Sequence, residues 1–476
     1  MDPQPLSAFS AMVSLADGVT LTDLLPQLEP SGTWIRHGEG IIGLGVADRA
    51  TAHGSERFAE LAHWWEHRLE ALTEAARPEP LRQVPGCGPV AFTSVTYSSD
   101  SAADSVLVLP ELVLGSVAGR SWVTAVQPAG FTAAGESVWE ALLDSHGLQL
   151  AQHPKTGGLE VSGAGPAAAA GGTEAAGAAP RPRTTLTTGS HDEAHYLDAV
   201  AFGVEAITER RLEKLVLGRD VVVSAETPLS AGQILAALAR DYSDCWTYRA
   251  GEVLGATPEM LVTVRGERMA ARVLAGTVDG ALHAERAREM LLEDPKQRTE
   301  HEIAVQSLLT QLAPVVEIIS AQNPPTVLEL PNVYHLSTEV TGRLVRDCTD
   351  PGGSRLTGRD DARSASGPRV PPALLVAERA HPTAAICGTP TATAAEFIAR
   401  LEQFDRGPFT GPVGWLDSQG NADFGIALRG GTLSEDRCTV RLYAGCGIVA
   451  GSEPASELAE TWAKLRPMLD ALGASS

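Results

Sequence analysis

The sequence lacks the features that mark several large classes of protein. Among its 476 residues, 37 are Lys or Arg and 59 are Asp or Glu, which gives a net charge of -22, and the basic residues form no cluster. An acidic surface without a basic patch repels a phosphate backbone, so nucleic-acid binding is not expected. No stretch of ~18 uninterrupted apolar residues occurs, and residues 1–21 contain no basic segment followed by an apolar one. We therefore expect a cytoplasmic protein without a membrane partner.

Cysteine gives no sign of a structural metal site or of disulfides. Six cysteines are spread along the chain without a C-x-x-C pair or a repeated spacing: Cys87, Cys245, Cys348, Cys387, Cys438 and Cys446. Structural zinc sites and disulfide-stapled folds both need cysteines at characteristic intervals. We therefore expect free thiols.

Two partial motifs do not support the functions with which they are associated. Residues 38–43 read GEGIIG, the spacing of a dinucleotide-binding loop, but a helix must follow that loop and here residues 44–46 continue as a strand. A β-turn is the favoured interpretation. His301 and Glu302 begin an H-E-x-x-H zinc motif, but its last position is Val305, so the second imidazole ligand is missing. Neither a nucleotide site nor a zinc protease is expected.

Composition divides the chain into two parts joined by a linker. Residues 153–188 are rich in Gly, Ala, Pro and Thr and contain too few large apolar side chains to form a core, which is typical of a flexible linker. The predicted parts are an N-terminal α/β part at 1–152 and a C-terminal part at 189–476. Within the second part, residues 346–372 are rich in charge, Gly, Ser and Pro and predict a mobile surface insertion.

The periodicity of apolar residues predicts sheets and helices in both parts. Ser190 and Glu193 have the spacing of a capping box, and apolar residues at helical intervals predict a helix that leads to Lys214. A second helical stretch covers residues 57–76. Short β-branched or leucine-rich runs predict strands at 34–35, 105–109, 122–126, 215–217, 221–223, 253–255, 261–264 and 440–449. We predict an α+β fold with large, mostly antiparallel sheets packed with helices.

Near the C-terminus, a predicted helix carries three charges on one face. Glu457, Glu460 and Lys464 are spaced by three and four residues, while an apolar stripe occupies another face. Taken alone, the charges favour a solvated face with a Glu460–Lys464 ion pair. A second acidic helix, at Glu300 and Glu302, offers either further oxygen ligands for a hard cation or another solvated surface. The spacing leaves both interpretations open.

Ten blocks after the linker carry a family resemblance. In chain order they read LEKLVLGRD (212–220), GATPEML (255–261), LAGT (274–277), PKQRTEHEIAV (295–305), YHLSTEVTG (334–342), HPTAAICGTP (381–390), FDRGPFTGPVGW (404–415), ALRGG (427–431), RLYAGCGIV (441–449) and ETWAKL (460–465). Together they resemble the chorismate-binding enzymes, which include isochorismate, salicylate, anthranilate and aminodeoxychorismate synthases. The first part resembles the less distinctive N-terminal part of isochorismate synthases. The resemblance implies the fold of anthranilate synthase component I.

The resemblance assigns an acid and a base for the ring chemistry. Isochorismate formation needs water to attack C2 of chorismate, the ring double bonds to shift and the C4 hydroxyl to leave. Lys214 matches the family lysine that activates the water, a role that requires a neutral amine. Glu259 matches the glutamate that protonates the leaving hydroxyl, and burial behind Pro258 is expected to keep it protonated.

The resemblance also implies a Mg²⁺ cofactor. Glu300 and Glu460 match the carboxylates that hold the ion, which neutralises the ring carboxylate of the substrate. Glu457 is implied as an outer or water-mediated ligand. Gln297 stands where relatives commonly carry an acidic residue, which predicts weaker metal affinity because one negative charge is absent.

Further matches concern the substrate. Arg429 and Lys464 match cationic groups around its carboxylates, and Gly445 and Gly447 match positions at which backbone N–H groups approach those carboxylates closely. Other positions that line the pocket according to the resemblance are Gly276, Thr277, His335, Ala385 and Phe409.

Lys214, Ala385 and Phe409 favour one member of the family, isochorismate synthase. The ammonia-using anthranilate and aminodeoxychorismate synthases usually lack the lysine and need a glutaminase partner. Salicylate synthases, which go on to eliminate pyruvate, commonly carry Thr and Tyr at the other two positions. The expected protein is a monomeric, Mg²⁺-dependent isomerase that needs no glutaminase subunit and serves menaquinone or siderophore biosynthesis. The alternatives are a salicylate synthase, an ammonia-using relative and an inactive chorismate-binding relic.

Overall fold

The structure is a computed structural model that describes residues 4–130, 136–152, 159–163, 182–279, 283–330, 333–345 and 372–474. The strands of the first part and the linker are β1 (Leu6–Leu15), β2 (Pro30–Arg36), β3 (Glu39–Leu44), β4 (Asp48–Ala52), β5 (Leu72–Ala76), β6 (Val90–Ser94), β7 (Ser105–Leu109), β8 (Leu112–Val117), β9 (Arg120–Pro128), β10 (Leu148–Gln152), β11 (Leu159–Gly163) and β12 (Thr184–Thr188). Those of the second part are β13 (Lys214–Ala225), β14 (Trp246–Ala250), β15 (Val253–Thr257), β16 (Met260–Arg265), β17 (Arg268–Asp279), β18 (Val316–Ala321), β19 (Thr326–Leu330), β20 (Val333–Leu344), β21 (Gly388–Thr389), β22 (Pro412–Asp417), β23 (Ala422–Ile426), β24 (Gly430–Leu433) and β25 (Thr439–Ile448). The α-helices are α1 (Leu21–Leu24), α2 (Arg57–Glu70), α3 (Glu136–Asp144), α4 (Glu193–Thr208), α5 (Ala231–Asp241), α6 (Ala284–Glu293), α7 (Pro295–Leu312), α8 (Ala373–Ala380), α9 (Thr391–Glu402) and α10 (Pro454–Leu472).

The strands form two large sheets. The main path of the larger sheet runs β10-β11-β1-β9-β8-β3-β2-β14-β15-β24-β25-β13-β12, with β5 and β21 attached at its side. That of the smaller sheet runs β18-β20-β17-β16-β23-β22-β6-β7-β4, with β19 attached. Among the described strands, only the pairs β1–β11 and β1–β5 are parallel. The predicted α+β fold with mostly antiparallel sheets is therefore confirmed.

Both sheets contain strands from both parts of the chain. In the larger sheet β2 pairs with β14, and in the smaller sheet β6 pairs with β22. Helices α5 and α10 bury apolar side chains against the larger sheet, whereas α2 and α8 do so against the smaller one. The two predicted parts at 1–152 and 189–476 are therefore joined by shared sheets as well as by the chain between them.

The segment predicted as a linker contains two strands at its described positions. β11 pairs with β10 and with β1, and β12 pairs with β13 at the end of the larger sheet. Residues 153–158 and 164–181 of that segment lie outside the described residues, as does the predicted insertion apart from its last residue, Pro372. Low apolar content did not prevent strand formation here, because the strands are held by backbone hydrogen bonds to their neighbours.

The start of α4 differs from the prediction. The cap is Asp192, whose carboxylate accepts a 2.9 Å hydrogen bond from the backbone N–H of His195. Ser190, the predicted cap, instead donates its backbone N–H to the Asp220 carboxylate of β13 at 2.8 Å. Lys214 begins strand β13, so the helix ends six residues before it, at Thr208. Similarly, α2 ends at Glu70, and the remainder of the helix predicted at 57–76 forms β5.

Several local predictions are confirmed. The GEGIIG segment lies in the β2–β3 hairpin, where His37 and Gly38 form the turn with φ values of 53° and 79°. The strands predicted from β-branched or leucine-rich runs lie within observed strands, apart from Val449 at the end of one. The strand predicted to continue through residues 44–46 is wrong beyond Leu44, where β3 ends. The described cysteines are free, and Cys348 lies outside the described residues. In the part of the chain that the structure describes, no helix is both long and apolar enough to span a membrane.

Candidate active site

Two short segments by which the chain passes between the sheets, here called connectors, each carry a charged residue, and they lie next to each other. Only Pro258 and Glu259 separate β15 of the larger sheet from β16 of the smaller one, and Arg429 ends the connector from β23 back to β24. β15 and β24 are paired through Gly255 and Gly430, so the connectors run side by side. The backbone N–H of Ala256 also donates to the Arg429 carbonyl at 3.2 Å. The sheet junction therefore fixes a carboxyl and a guanidinium next to each other.

A second pair of strands supplies the opposite wall. β25 pairs with β13 along its whole length but with β24 only as far as Leu442. An added Cβ at Gly445 would lie 2.7 Å from a β13 carbonyl, and one at Gly447 would lie 3.2 Å from Cε of Lys214. Lys464 of α10 donates from Nζ to the Gly445 carbonyl at 2.8 Å. A side chain at Gly445 would therefore displace the backbone of β13, and one at Gly447 would displace Lys214.

Glu259 is the electrostatic centre of this group. Burial raises the pKa of its carboxyl group, while Lys214, Lys464 and Arg429 each act in the opposite direction. The net direction is upward, so desolvation outweighs three neighbouring cations. Its backbone is fixed by the Thr257 hydroxyl, which accepts a 3.2 Å bond from the Glu259 N–H. The structure thus brings the predicted acid, the predicted base and both predicted substrate-binding cations into one cluster.

Lys464 links this cluster to the acidic face of α10. Its Nζ lies 2.7 Å from Glu460 Oε1, which is the i,i+4 ion pair suggested by the spacing. Burial acts against the charged ammonium, but Cys446 and Glu460 together raise the pKa of Lys464 above its ordinary value. Lys464 therefore remains a cation that can attract a substrate carboxylate. Glu460 is exposed, as the solvated-face interpretation predicts, while Lys464 is partly buried; the functional interpretation of this helix stays a prediction.

The acidic face of α10 has the donors expected of a cation site. Ligand atoms of Glu457, Glu460 and Cys446 all lie within 4.8 Å of one another. Burial raises the pKa of Glu457, and the nearby Glu460 carboxylate acts in the same direction while the Lys464 cation opposes it. A bound cation would offset this repulsion. The two carboxylates fit a hard divalent cation, whereas the Cys446 thiol, whose pKa burial raises to about 12, is protonated at neutral pH.

The surroundings of four predicted site residues lie outside the described part of the structure. These residues are Glu300, Gly276, Thr277 and His335. The backbone places Glu300 in α7, Gly276 and Thr277 in β17, and His335 in β20, where Thr277 is paired with His335. Their roles at the site stay predictions, as does the effect of Gln297 in α7.

His301 joins the helix that carries Glu300 to the two strands of the other predicted pocket residues. Its ring is 3% exposed, with Nδ1 at 3.1 Å from the Ala275 carbonyl and Nε2 at 2.7 Å from the Thr338 hydroxyl. Nδ1 is therefore the donor, and Nε2 accepts from Thr338. Both ring nitrogens are engaged in hydrogen bonds, which connect α7 to β17 and β20.

Ala385 and Phe409 lie in segments that pack against β13. Phe409 is buried, and its ring stacks on Tyr443 of β25 with centroids 5.4 Å apart. Ala385 is partly buried in the connector before β21. Contact of either residue with a substrate stays a prediction. Both segments are hydrogen-bonded to one buried ion pair, Glu402 and Arg406.

That pair, Glu402 and Arg406, was not identified from the sequence. Both side chains are almost fully buried, and the Arg406 guanidinium donates to Glu402 and to three other segments. The available signal was an acid and a base four residues apart next to a glycine, a spacing that usually indicates an exposed ion pair. Cys446 was also missed, because a cysteine between two glycines of a strand has no distinctive pattern.

Comparison with known proteins identifies the class to which this site belongs. A family model described as chorismate binding enzyme matches residues 28–470, so the chain belongs to the chorismate-binding enzyme family. Two Bacillus subtilis relatives, isochorismate synthase DhbC and isochorismate synthase MenF, are 33% and 30% identical over 292 and 289 residues. These matches cover 58% and 59% of this chain but only 67% and 56% of the relatives. The resemblance seen in the ten sequence blocks is confirmed.

A solved structure agrees with the fold. MenF, the menaquinone-specific isochorismate synthase from Escherichia coli, superimposes with a TM-score of 0.67 and 22% identity. The alignment covers 98% of this chain and 95% of that one. The match therefore extends over the N-terminal part, for which the sequence resemblance was least distinctive.

Proposed function

We propose that the chain converts chorismate to isochorismate, as an isochorismate synthase. The observation that carries the proposal is the position of Glu259 beside Lys214, Lys464 and Arg429, with burial raising its pKa. A neutral carboxylic acid and an amine beside it are the two groups that exchange of a hydroxyl between ring carbons requires. Two further cations suit a dianionic substrate.

Lys214 takes the role of the base. For this step the Lys214 ammonium first loses its proton to solvent; the amine then accepts a proton from the water that attacks C2, a new C–O bond forms there, and the ring electrons shift toward C4. Glu259 donates its proton to the C4 oxygen, whose bond to carbon breaks so that the hydroxyl leaves as water. One water enters and one leaves, so the reaction is an isomerisation. The next turnover requires a proton to return from Lys214 to Glu259, directly or through solvent.

The substrate is held by the remaining charges. Arg429 and Lys464 attract its carboxylates, and glycine at 445 and 447 allows β13 and Lys214 to lie close to β25. Because the Lys464 ammonium is already fixed by the Gly445 carbonyl and Glu460, little conformational freedom is lost when a carboxylate approaches it.

The proposal includes Mg²⁺ as cofactor. Glu460 and Glu300 would hold the ion, with Glu457 in an outer position, and the bound ion neutralises the ring carboxylate. Glu460 and Glu457 support this assignment because their oxygens lie close together, and oxygen donors suit Mg²⁺.

Water rather than ammonia is the proposed nucleophile, and isochorismate rather than salicylate is the proposed product. Lys214 supports the first choice, because ammonia needs no lysine to activate it. Ala385 and Phe409 support the second, since the site then lacks the hydroxyl groups that salicylate synthases commonly carry there. The product would serve menaquinone or siderophore biosynthesis.

Product analysis tests the proposal. The purified chain is incubated with chorismate and Mg²⁺, without ammonia, glutamine or a second subunit, and the products are separated by chromatography. Isochorismate is the expected main product. Anthranilate or salicylate as the main product, or no turnover, would contradict it.

A further inference from the structure

One edge of β13 has a gap between two strand partners. β21 pairs with this edge at Lys214 and Leu215, and β12 pairs with it from Val221 onward. The backbone N–H and C=O groups of β13 that lie between these two pairings need other partners when they are buried. The interval matters because Lys214, the proposed base, begins this strand.

A buried ion pair fills the gap with side-chain hydrogen bonds. Glu402 Oε1 accepts from the Gly218 N–H at 2.6 Å, and Arg406 Nη2 donates to the Val216 carbonyl at 2.9 Å. The carboxylate and the guanidinium therefore present an acceptor and a donor to β13, as a neighbouring strand would. Their side chains are 2% and 3% exposed, so water cannot replace them.

The same guanidinium holds two further segments. Arg406 Nη1 donates to the Ile386 carbonyl at 3.0 Å and to the Thr410 hydroxyl at 3.2 Å, while Nε donates to Glu402 at 2.8 Å. Every N–H of the guanidinium is used, and the Tyr97 ring lies 4.5 Å from its carbon. Lysine cannot reproduce this arrangement because it lacks the planar fork.

Each segment bonded to Arg406 contains a predicted site residue one or two positions away. Lys214 is two residues from Val216, Ala385 adjoins Ile386, and Phe409 adjoins Thr410. We propose that the Glu402–Arg406 pair is a positioning element that fixes Lys214 relative to the segments of Ala385 and Phe409. This inference rests on the proposed function for its kinetic consequence, but the geometry of the strand edge is independent of it.

A buried ion pair is not by itself evidence of a stabilising role. Replacing a buried ion pair by apolar side chains of similar volume is often neutral or stabilising, whereas removing one partner leaves a buried charge and is strongly destabilising. A double substitution therefore separates positioning from folding. The chosen variants are Glu402→Leu with Arg406→Met, and the single variant Arg406→Lys.

The test compares turnover, substrate binding and hydrogen exchange of the full-length chain. The double variant should stay folded but melt at a lower temperature than wild type, because the Gly218 N–H and the Val216 carbonyl lose their buried partners. It should bind chorismate within a few-fold of wild type by calorimetry, because Arg429 and Lys464 are untouched. Its kcat should fall at least tenfold, and exchange should become faster in the peptide containing residues 214–220. Arg406→Lys should lower kcat in the same way. Arg68→Lys is the control, since Arg68 is also a buried cation, bonded to the Gln4 carbonyl and to Asp48 in the first part, and kcat should not change.

Two outcomes would overturn the proposal. One is a folded double variant with wild-type kcat, and the other is unchanged exchange at 214–220. If wild type itself made no isochorismate, the proposed function would fail, while the exchange measurement would still decide whether the pair fixes the strand edge. A double variant that fails to fold would also contradict the proposal, because the pair would then be needed for folding itself.

Discussion

Glu259 and Arg429 lie side by side because each is on a connector by which the chain passes between the two sheets. Neither residue belongs to a regular strand, yet the pairing of Gly255 with Gly430 fixes both connectors. Burial at this junction raises the pKa of Glu259 even though three cations surround it. The fold thus places a carboxyl with a raised pKa beside positive charge, a combination that is typical of functional sites.

Substitution of the acid and of the base should reduce turnover without a comparable loss of binding. General acid–base groups typically contribute about 10²–10⁴-fold, so Lys214→Ala and Glu259→Gln should each lower kcat within that range. Chorismate should still bind within a few-fold of wild type by calorimetry, since Arg429 and Lys464 remain. Glu435→Gln, at an exposed turn, is the matched control. Near-normal turnover of Lys214→Ala would remove the reason to prefer water over ammonia as nucleophile.

The pH dependence should identify the acid. Glu259 acts only when protonated, so the rate falls as pH rises through its pKa, and the raised pKa moves this fall above the ordinary carboxyl range. Glu259→Gln cannot ionise, so its much lower residual rate should show no such alkaline fall. Rates of both proteins are measured across the pH range at low substrate. An identical alkaline limb in the variant would assign that limb to another group.

Glu259 should also impose a pH-dependent stability cost. The pKa of Glu259 is raised in the folded state. The carboxyl group's contribution to the free energy of unfolding is therefore fully present below the ordinary carboxyl pKa and is lost as pH rises through the raised value. Glu259→Gln mimics the protonated form. Its melting temperature relative to wild type should therefore be higher at about pH 8 than at about pH 5. A difference that does not change with pH would show that the carboxyl is not destabilised when ionised.

Metal removal should abolish activity. EDTA should stop turnover and Mg²⁺ should restore it, and Glu460→Gln should require a higher Mg²⁺ concentration because one carboxylate is lost. Glu396→Gln, on the exposed face of α9, is the control. The measurements are the Mg²⁺ activation curve and Mg²⁺ binding by calorimetry. Wild-type binding and rates for Glu460→Gln at low Mg²⁺ would make the ligand assignment wrong.

The sequence allowed the fold class, most of the strands and the residues that the fold brings together around Glu259 to be named. β13, β15, β16 and β25 were found because β-branched runs and period-two patterns are local properties. The order of strands in the sheets was not predicted, since the pairing of β2 with β14 depends on contacts between residues about two hundred positions apart. Strands β11 and β12 were missed for the same reason: their partners, rather than their side chains, determine them.

At the site, charge and spacing could not reveal burial. The Glu402–Arg406 pair has the spacing of an exposed helical ion pair, but the turn after α9 directs it beneath β13. Ser190 was predicted to cap α4, yet Asp220 of the neighbouring strand takes its hydrogen bonds, so Asp192 caps the helix. In both cases a partner distant in sequence decides the interaction.

The most direct test of the proposed chemistry follows the oxygen atom. Chorismate is converted by the purified chain with Mg²⁺ in water enriched in oxygen-18, and isochorismate is analysed by mass spectrometry with fragmentation. In the proposed mechanism, Lys214 activates solvent water for attack at C2 while the C4 hydroxyl departs, so the product should carry one labelled oxygen, located at C2. Isochorismate without the label would contradict the account, since the hydroxyl would then have moved within the substrate and no water-activating base would be needed.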